Sequence, residues 1–447
     1  MELKRKIYDQ MSEWKKKDHG NTALMIEGAR RVGKSLIAEK FAENEYRTHI
    51  TIDFSRVPGE IKELFTHGAE DLDTLFQTLM VHYKTKLYAR ESCLIFDEVQ
   101  LCPAARQIIK HLVADGRYDY IETGSLITLK QNISDIVIPS EEETLSMFPL
   151  DFEEFLWAIG DETSYPLIRS HFESKEPLGQ ALHRSIMKYF RQYMLVGGMP
   201  QAVTDFEKNG DYEAADRIKR RILHLYREDV SKFARGYESK VYTIFDGIPG
   251  QLSKKEKKYK LSSLKKNARI REYEDAFVWL DEAMVVNPCF NATDPTVGLK
   301  LSEEYTTQKI YMADTGLLVT LTFSDDNYMD NILYRDILLD KLNVNEGMLM
   351  ENIVSQMLRF SGHKLFFYSR NDSNNHSDRM EIDFLIRKGR KICPVEVKSS
   401  VYRSHSSLDK FYTKFHERLG ERYILYGKDI LIKEGVTHLP IYMAGLL

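Results

Sequence analysis

The chain has 447 residues, 43% of them hydrophobic and 29% charged, with a formal net charge of −4. That length exceeds what one hydrophobic core organises and predicts roughly two to four domains of ordinary globular composition. The net acidity excludes a uniformly basic nucleic-acid binder, and no run approaches the ~18 apolar residues of a membrane span. Met1 to Asp18 is charged throughout, where a signal peptide would carry an apolar core, so a cytoplasmic protein without a membrane partner is expected. Cys93, Cys102, Cys289 and Cys393 are scattered and outside C-x-x-C spacing, which predicts neither a zinc site nor a disulfide framework.

The first predicted strand is Thr22 to Glu27. The segment after it, Gly28-Ala29-Arg30-Arg31-Val32-Gly33-Lys34-Ser35, fits the P-loop pattern G-x-x-x-x-G-K-[ST] without a gap. A triphosphate tail presents several anionic oxygens that must be desolvated together by closely approaching backbone N–H groups. Only glycine lets a loop wrap that tightly. Lys34 can place a mobile ammonium near the β- and γ-phosphates, and the Ser35 hydroxyl can ligate Mg²⁺. The helix that begins here, with Leu36, Ile37 and Phe41, adds the positive end of its dipole. ATP and Mg²⁺ are the expected cofactors, with Gly28, Arg31, Val32, Gly33, Lys34, Ser35 and Leu36 around the nucleotide.

A strand at His49 to Phe54 and a helix at Asp71 to Leu87 follow, the latter with Leu72, Leu75, Phe76, Leu79 and Tyr83 at helical spacing. Cys93 to Phe96 is an apolar strand ending in Asp97-Glu98, the arrangement of a Walker B element. Asp97 would hold Mg²⁺, usually through water, and Glu98 would polarise the attacking water. Tyr118 to Glu122 runs into Thr123-Gly124-Ser125, which is either a γ-phosphate sensor or a plain turn. Alternating strands and helices predict a doubly wound parallel sheet with its ligand at the carboxyl ends of the strands, an ATPase core over residues 1–160.

Asp151 and Glu154 are spaced as a capping box at the start of a short helix, Asp151 to Gly160. Pro177 to Phe233 reads as helical, broken at Gly197-Gly198-Met199-Pro200, and predicts a helical lid over 161–235 packed on the core. Lys254 to Arg271 carries nine basic residues against one acidic, Glu256, and leads into a helix with Tyr273, Phe277, Leu280 and Met284 on one stripe. A strand and hairpin after it complete the order of a winged-helix domain, 236–322. Lys265, Lys266, Arg269 and Arg271 would then contact DNA phosphates; the alternative is a solvated lysine-rich linker.

The remaining domain, 323–447, is predicted as α/β. Glu351 lies in a helix from Met348 to Phe360, a strand follows at Lys364 to Tyr368, and after a polar loop two strands carry Glu381-Ile382-Asp383 and Glu396-Val397-Lys398. Alternation puts Asp383 with Glu381 on one strand face and Glu396 with Lys398 on another. If the two faces converge, Glu351, Asp383 and Glu396 can bind Mg²⁺ and Lys398 can orient water or neutralise developing charge, which suits phosphodiester hydrolysis. The same charges could instead alternate on the solvent face of a sheet.

GARRVGKS, LIFDEVQ, ETGS, FPLDFEEFL, LVGGMP, KIYMADTGLL, MENIV, EIDFLI and PVEVK occur in the order seen in a broad group of prokaryotic AAA-like P-loop ATPases, which the chain resembles over nearly its whole length. That group joins an N-terminal P-loop domain to a C-terminal domain of unknown function resembling the PD-(D/E)xK restriction-endonuclease superfamily. The resemblance implies nucleotide contacts at Gly28, Gly33, Lys34 and Ser35, Asp97 and Glu98 at the metal and water, and nuclease-type roles for Glu351, Asp383, Glu396 and Lys398. The proline of the nuclease signature is absent, since Ile382 precedes Asp383. The expected function is an ATPase coupled to a DNA-directed nuclease-like domain, with self-association left open. The alternatives are a regulatory switch whose C-terminal domain only binds nucleic acid or protein, and an NTP-dependent signalling protein.

Overall fold

The computed structural model describes residues 3–68, 71–124, 140–254, 272–324, 330–338, 346–370, 380–398 and 406–447. Ser125, most of the basic segment (255–271, including Lys265, Lys266, Arg269 and Arg271) and the polar loop 371–379 lie outside the described residues. The chain forms two compact units: residues 4–149 with 282–284, and residues 150–281 with 285–447 and the first three residues. No helix among the described residues is long and apolar enough to cross a membrane.

The first unit is the expected parallel sheet. Its strands are β1 (Ala23–Glu27), β2 (Thr48–Asp53), β3 (Ser92–Asp97), β4 (Asp119–Gly124) and β5 (Glu142–Ser146), in the order β2-β3-β4-β1-β5 with every pair parallel. β3 and β4 are buried along their whole length, and in β3 this accounts for the apolar run Cys93 to Phe96 without alternation. The helix expected at Asp71 to Leu87 spans Leu72–Tyr83, with the Asp71 carboxylate accepting from the Thr74 N–H as its cap. On one side of the sheet Phe54, Phe65 and Phe96 meet edge to face, with ring centroids 5.3 to 5.9 Å apart. Such contacts add about 0.5–1.5 kcal/mol each beyond the area they bury.

The second unit is built around an eight-stranded mixed sheet of order β12-β13-β11-β10-β9-β8-β6-β7. Its strands are β6 (Val286–Ala292), β7 (Glu303–Met312), β8 (Leu365–Arg370), β9 (Met380–Lys388), β10 (Lys391–Val397), β11 (Arg422–Tyr426), β12 (Leu431–Lys433) and β13 (Val436–Pro440). This differs from the sequence expectation in two places. The hairpin read as the wing of a winged-helix domain is β6–β7, and β6 also pairs in parallel with β8, so the hairpin is one margin of the large sheet and not a free-standing wing. The helices read as a lid on the ATPase core belong to the second unit. Their amphipathic stripes showed that they pack, but a stripe carries no record of its partner.

What holds those helices is a set of short-range interlocks. The capping box at Asp151 and Glu154 is present as predicted, opening the helix Phe152–Ala158. The break at Gly197-Gly198 ends the helix Gln180–Val196, and the Gly198 N–H donates to Asp314 Oδ2 at 2.6 Å. Asp314 Oδ1 also accepts from the Leu317 N–H at 2.8 Å, capping the helix Thr315–Thr322. A Cβ on Gly197 would lie 2.2 Å from Asp314 Oδ1, and one on Gly316 would lie 2.5 Å from the Gly197 nitrogen. The glycines of LVGGMP and ADTGLL are thus required by each other. In the helix Glu346–Phe360, Asn352 bonds both backbone groups of Met312, and Gln356 accepts from Thr315 and donates to Tyr193. These buried amides have their partners, and they fix one register of helix on sheet.

Candidate functional site

The first site stands at the carboxyl ends of β1, β3 and β4. β1 delivers the chain to Gly28, where a Cβ would come 2.3 Å from the Met147 carbonyl oxygen. Arg31 and Gly33 both take positive φ, 72° and 100°, so the loop curls back on itself before the helix Lys34–Glu45 begins. The Lys34 ammonium is buried and donates to the carbonyls of Gly28 and Ala29, at 2.9 and 3.0 Å. Ser35 Oγ donates to Asp97 Oδ1 at 2.6 Å, and Thr123 Oγ1 donates to the same oxygen. Glu98 has a left-handed backbone, φ 52° and ψ 46°, and its carboxylate accepts from Gln100 Nε2.

The sequence-predicted residues Gly28, Gly33, Lys34, Ser35, Asp97 and Glu98 therefore sit on adjoining strand ends and loops. Val32 is fully buried, Arg31 is exposed, and Leu36 is 70% exposed on the first turn of the helix. Thr123 lies in β4 and not in a turn, and its hydroxyl meets the Asp97 carboxylate. Arg5 was missed: its guanidinium, itself buried, donates to the Val32 carbonyl at 2.9 Å and the Phe148 carbonyl at 2.6 Å, bracing the loop from outside. No local pattern marks it, since it acts across 27 and 143 residues of sequence.

A buried acid cluster lies in the same sheet. Arg106 holds Glu142 in a bidentate pair at 2.9 and 3.1 Å. Glu122 on β4 is fully buried, and burial with the neighbouring Glu142 pushes its carboxyl well above the ordinary range.

The second constellation lies in the other unit and joins β7, β9, β10 and the helix Glu346–Phe360. Register pairs Val395 with Phe384, which sets Asp383 beside the end of β10, where its Oδ2 accepts from the Val397 N–H at 2.9 Å. Lys398 Nζ pairs with Glu396 Oε2 at 2.8 Å. Glu351 Oε2 accepts from Tyr311 OH at 3.1 Å. A residue that was not expected completes the cluster: Lys309 on β7, its side chain 1% exposed, reaches Glu381 at 2.8 Å and Asp383 at 3.7 Å. Burial works to lower the Lys309 pKa, but Glu351, Glu381 and Asp383 outweigh it and hold the ammonium above its usual range. Lys398 is raised in the same way, by Glu396, Asp383 and Glu351 against burial. Asp383 thus lies beside the strand end that carries the Glu396–Lys398 pair, Glu351 is tied to Tyr311, and Glu351 and Glu396 are both buried, away from the solvent face of the sheet.

The metal role assigned to Glu351, Asp383 and Glu396 fits less well. Among the described residues no group of three His, Cys, Asp or Glu side chains is disposed to hold a metal ion. The carboxylates face two ammonium groups instead, and Asp383 is turned partly to a backbone N–H. Lys309 had a faint signature, a lysine entering the buried apolar run Ile310 to Ala313.

The P-loop sequence on a parallel sheet is the arrangement of an AAA-like ATPase core, and residues 20–156 match the family model described as AAA domain. Residues 187–328 match a domain of unknown function, DUF8612, and residues 346–443 match another, DUF4143, which brings no nuclease assignment with it. Among curated proteins none matches significantly. Solved structures similar to the chain include the Walker-type ATPase PABY2304 of Pyrococcus abyssi, at 17% identity over 72% of this chain and 96% of that one, TM-score 0.41. The Aeropyrum pernix ORC1 protein in complex with DNA is similar at 11% identity over 73% and 94% of the two chains, TM-score 0.26. At these scores the assignment rests on the AAA-domain match and the site itself. The N-terminal unit is an ATP-hydrolysing enzyme domain.

Proposed function

We propose that the chain is an AAA-type switch in which ATP binding and hydrolysis at the P-loop control a second unit that engages nucleic acid. The observation that carries the ATPase half is the meeting of Ser35 and Thr123 on one oxygen of Asp97. That arrangement fits Mg²⁺: Ser35 and Asp97 are the residues that would hold it, and when bound it supplies charge neutralisation across the β- and γ-phosphate oxygens. Lys34 exchanges its two loop carbonyls for phosphate oxygens, a stronger charge-assisted bond. Glu98, oriented by Gln100, accepts a hydrogen bond from the water that attacks in line, and Thr123 reports to Asp97 whether the γ-phosphate is present. Glu98→Gln should keep ATP affinity within a few-fold while hydrolysis falls on the order of 10²–10³-fold. Loss of binding with hydrolysis, measured by calorimetry beside phosphate release, would remove Glu98 from this role.

In the second unit the Lys309 and Lys398 pairings support a binding module over a nuclease, because the carboxylates are compensated from within the chain. The restriction-endonuclease-like, Mg²⁺-dependent reading has one observation in its favour, the convergence of Asp383, Glu396 and Lys398 at the ends of β9 and β10. Incubating DNA with the protein and Mg²⁺ or Mn²⁺ decides between them. Cleavage abolished by Asp383→Ala establishes the nuclease, and intact DNA across single-stranded and duplex substrates establishes the switch.

A further inference from the structure

The helix Gln180–Val196 carries Arg184, Lys188 and Arg191 at spacings of four and three residues, which places them on one stripe about 10 Å long. Facing that stripe is the turn Gly427-Lys428-Asp429 between β11 and β12, and the two enclose a groove of about 820 Å³ with Met187 and His183 in its lining. The turn is rigidly held. Asp429 accepts from the N–H groups of Leu178, Gly179 and Ile430 at 2.8 to 3.0 Å, which ties it to the chain entering the helix. The His183 ring bridges Tyr442 OH at 2.9 Å and the Gly427 carbonyl at 3.2 Å. A carbonyl only accepts, so Nε2 bears the proton and Nδ1 takes the tyrosine hydroxyl.

Charge makes this groove more than a crevice. Arg184, Lys188 and Lys428 are exposed, and among the described residues none of the three has an ion-pair or hydrogen-bond partner. Among the described residues the one carboxylate in the lining, Asp429, is engaged by three backbone N–H groups of its own surroundings. Cations gathered on two opposed walls repel one another and stay hydrated unless an anion lies between them. A linear row of cations on one wall, a further cation opposite and an apolar patch at Met187 match a chain of phosphates with its sugars and bases against the floor.

We propose that the groove between the helix Gln180–Val196 and the turn Gly427–Asp429 binds the phosphodiester backbone of a single nucleic-acid strand. This rests on the reading of the second unit as a nucleic-acid binder and names the surface it uses, one that does not involve residues 254–271 or the carboxylate cluster. The test is fluorescence anisotropy of a labelled single-stranded DNA or RNA oligonucleotide with the full chain across a salt series. The paired reversal Arg184→Glu with Lys188→Glu should weaken binding at least tenfold and lower the salt slope by about 1.4, two contacts at about 0.7 each. Lys428→Glu should lower it by about 0.7. Both changes are at exposed positions, and thermal unfolding checks that the fold is intact. Wild-type binding that neither reversal alters overturns the groove and leaves the nucleic-acid reading standing. No strand binding by the wild type overturns both. Binding of inorganic triphosphate alone, sensitive to the reversals, shows a small-anion site and overturns the proposal.

Discussion

The P-loop site and the lysine–carboxylate cluster use the same residue types to opposite ends. In the first, Lys34 donates to two backbone carbonyls of its own loop and Asp97 accepts from two hydroxyls. In the second, Lys309 and Lys398 face Glu381, Asp383 and Glu396 directly, and a newcomer would have to break ion pairs of which Lys309 and Glu396 are buried while Glu381 and Lys398 are partly exposed. Unlike charges already joined inside a protein are costly to separate.

Breaking the first site should have the largest effect. Lys34→Ala is expected to lower ATP turnover on the order of 10²–10³-fold or more and to weaken nucleotide uptake, followed by phosphate release and calorimetry. Lys309→Met attacks the second site and should cost about 3 kcal/mol of stability or less, since it removes the buried cation facing Glu381 and Asp383 while Lys398 still faces Asp383 and solvent reaches Glu381. The midpoint of denaturant unfolding reads this. The Lys309 contribution has a defined pH sense: its folded pKa lies above the unfolded value, so the contribution is complete below the ordinary lysine range and disappears only in stronger alkali. A variant as stable as wild type at neutral pH would show that the cluster is not held by its lysine.

Lys219, another buried lysine in the same unit, sharpens the point. Its ammonium donates to the carbonyls of Leu195 and Gly316 and to Tyr334 OH, and burial pulls its pKa down to about 8 despite Asp216. The unfolded chain keeps this proton to about pH 10.4 while the folded chain releases it near 8, so stability should rise with pH between the two, by at most about 3 kcal/mol. Lys219→Met should flatten that rise. Thr123→Val is expected to have the smallest effect, about tenfold slower hydrolysis (~1.4 kcal/mol) with ATP affinity kept, because Ser35 still bonds Asp97.

Much of this was written locally. Gly28, Gly33, Lys34 and Ser35 are contiguous, Asp97 and Glu98 end an apolar strand, and Asp151 with Glu154 make a cap three residues apart, so backbone geometry alone converts spacing into contact. Convergence of Asp383 with Glu396 was legible from strand alternation on two neighbouring strands. Arg5 and Lys309 were not, because each acts on residues far away in sequence. The wing was misread for a related reason: β6 and β7 do form a hairpin, but the pairing of β6 with β8 brings together residues more than seventy positions apart.

The sequence by itself determined where the P-loop turn forms, which strands alternate and where helices begin, since those follow from periods, caps and glycine's freedom over a few residues. Only the tertiary structure decided that the helices after Leu150 join the C-terminal sheet, that Lys309 enters the carboxylate cluster and that Lys428 faces Arg184 across a groove. Those outcomes depend on which apolar faces bury against each other and on where charges are then desolvated, and burial is a property of the folded whole.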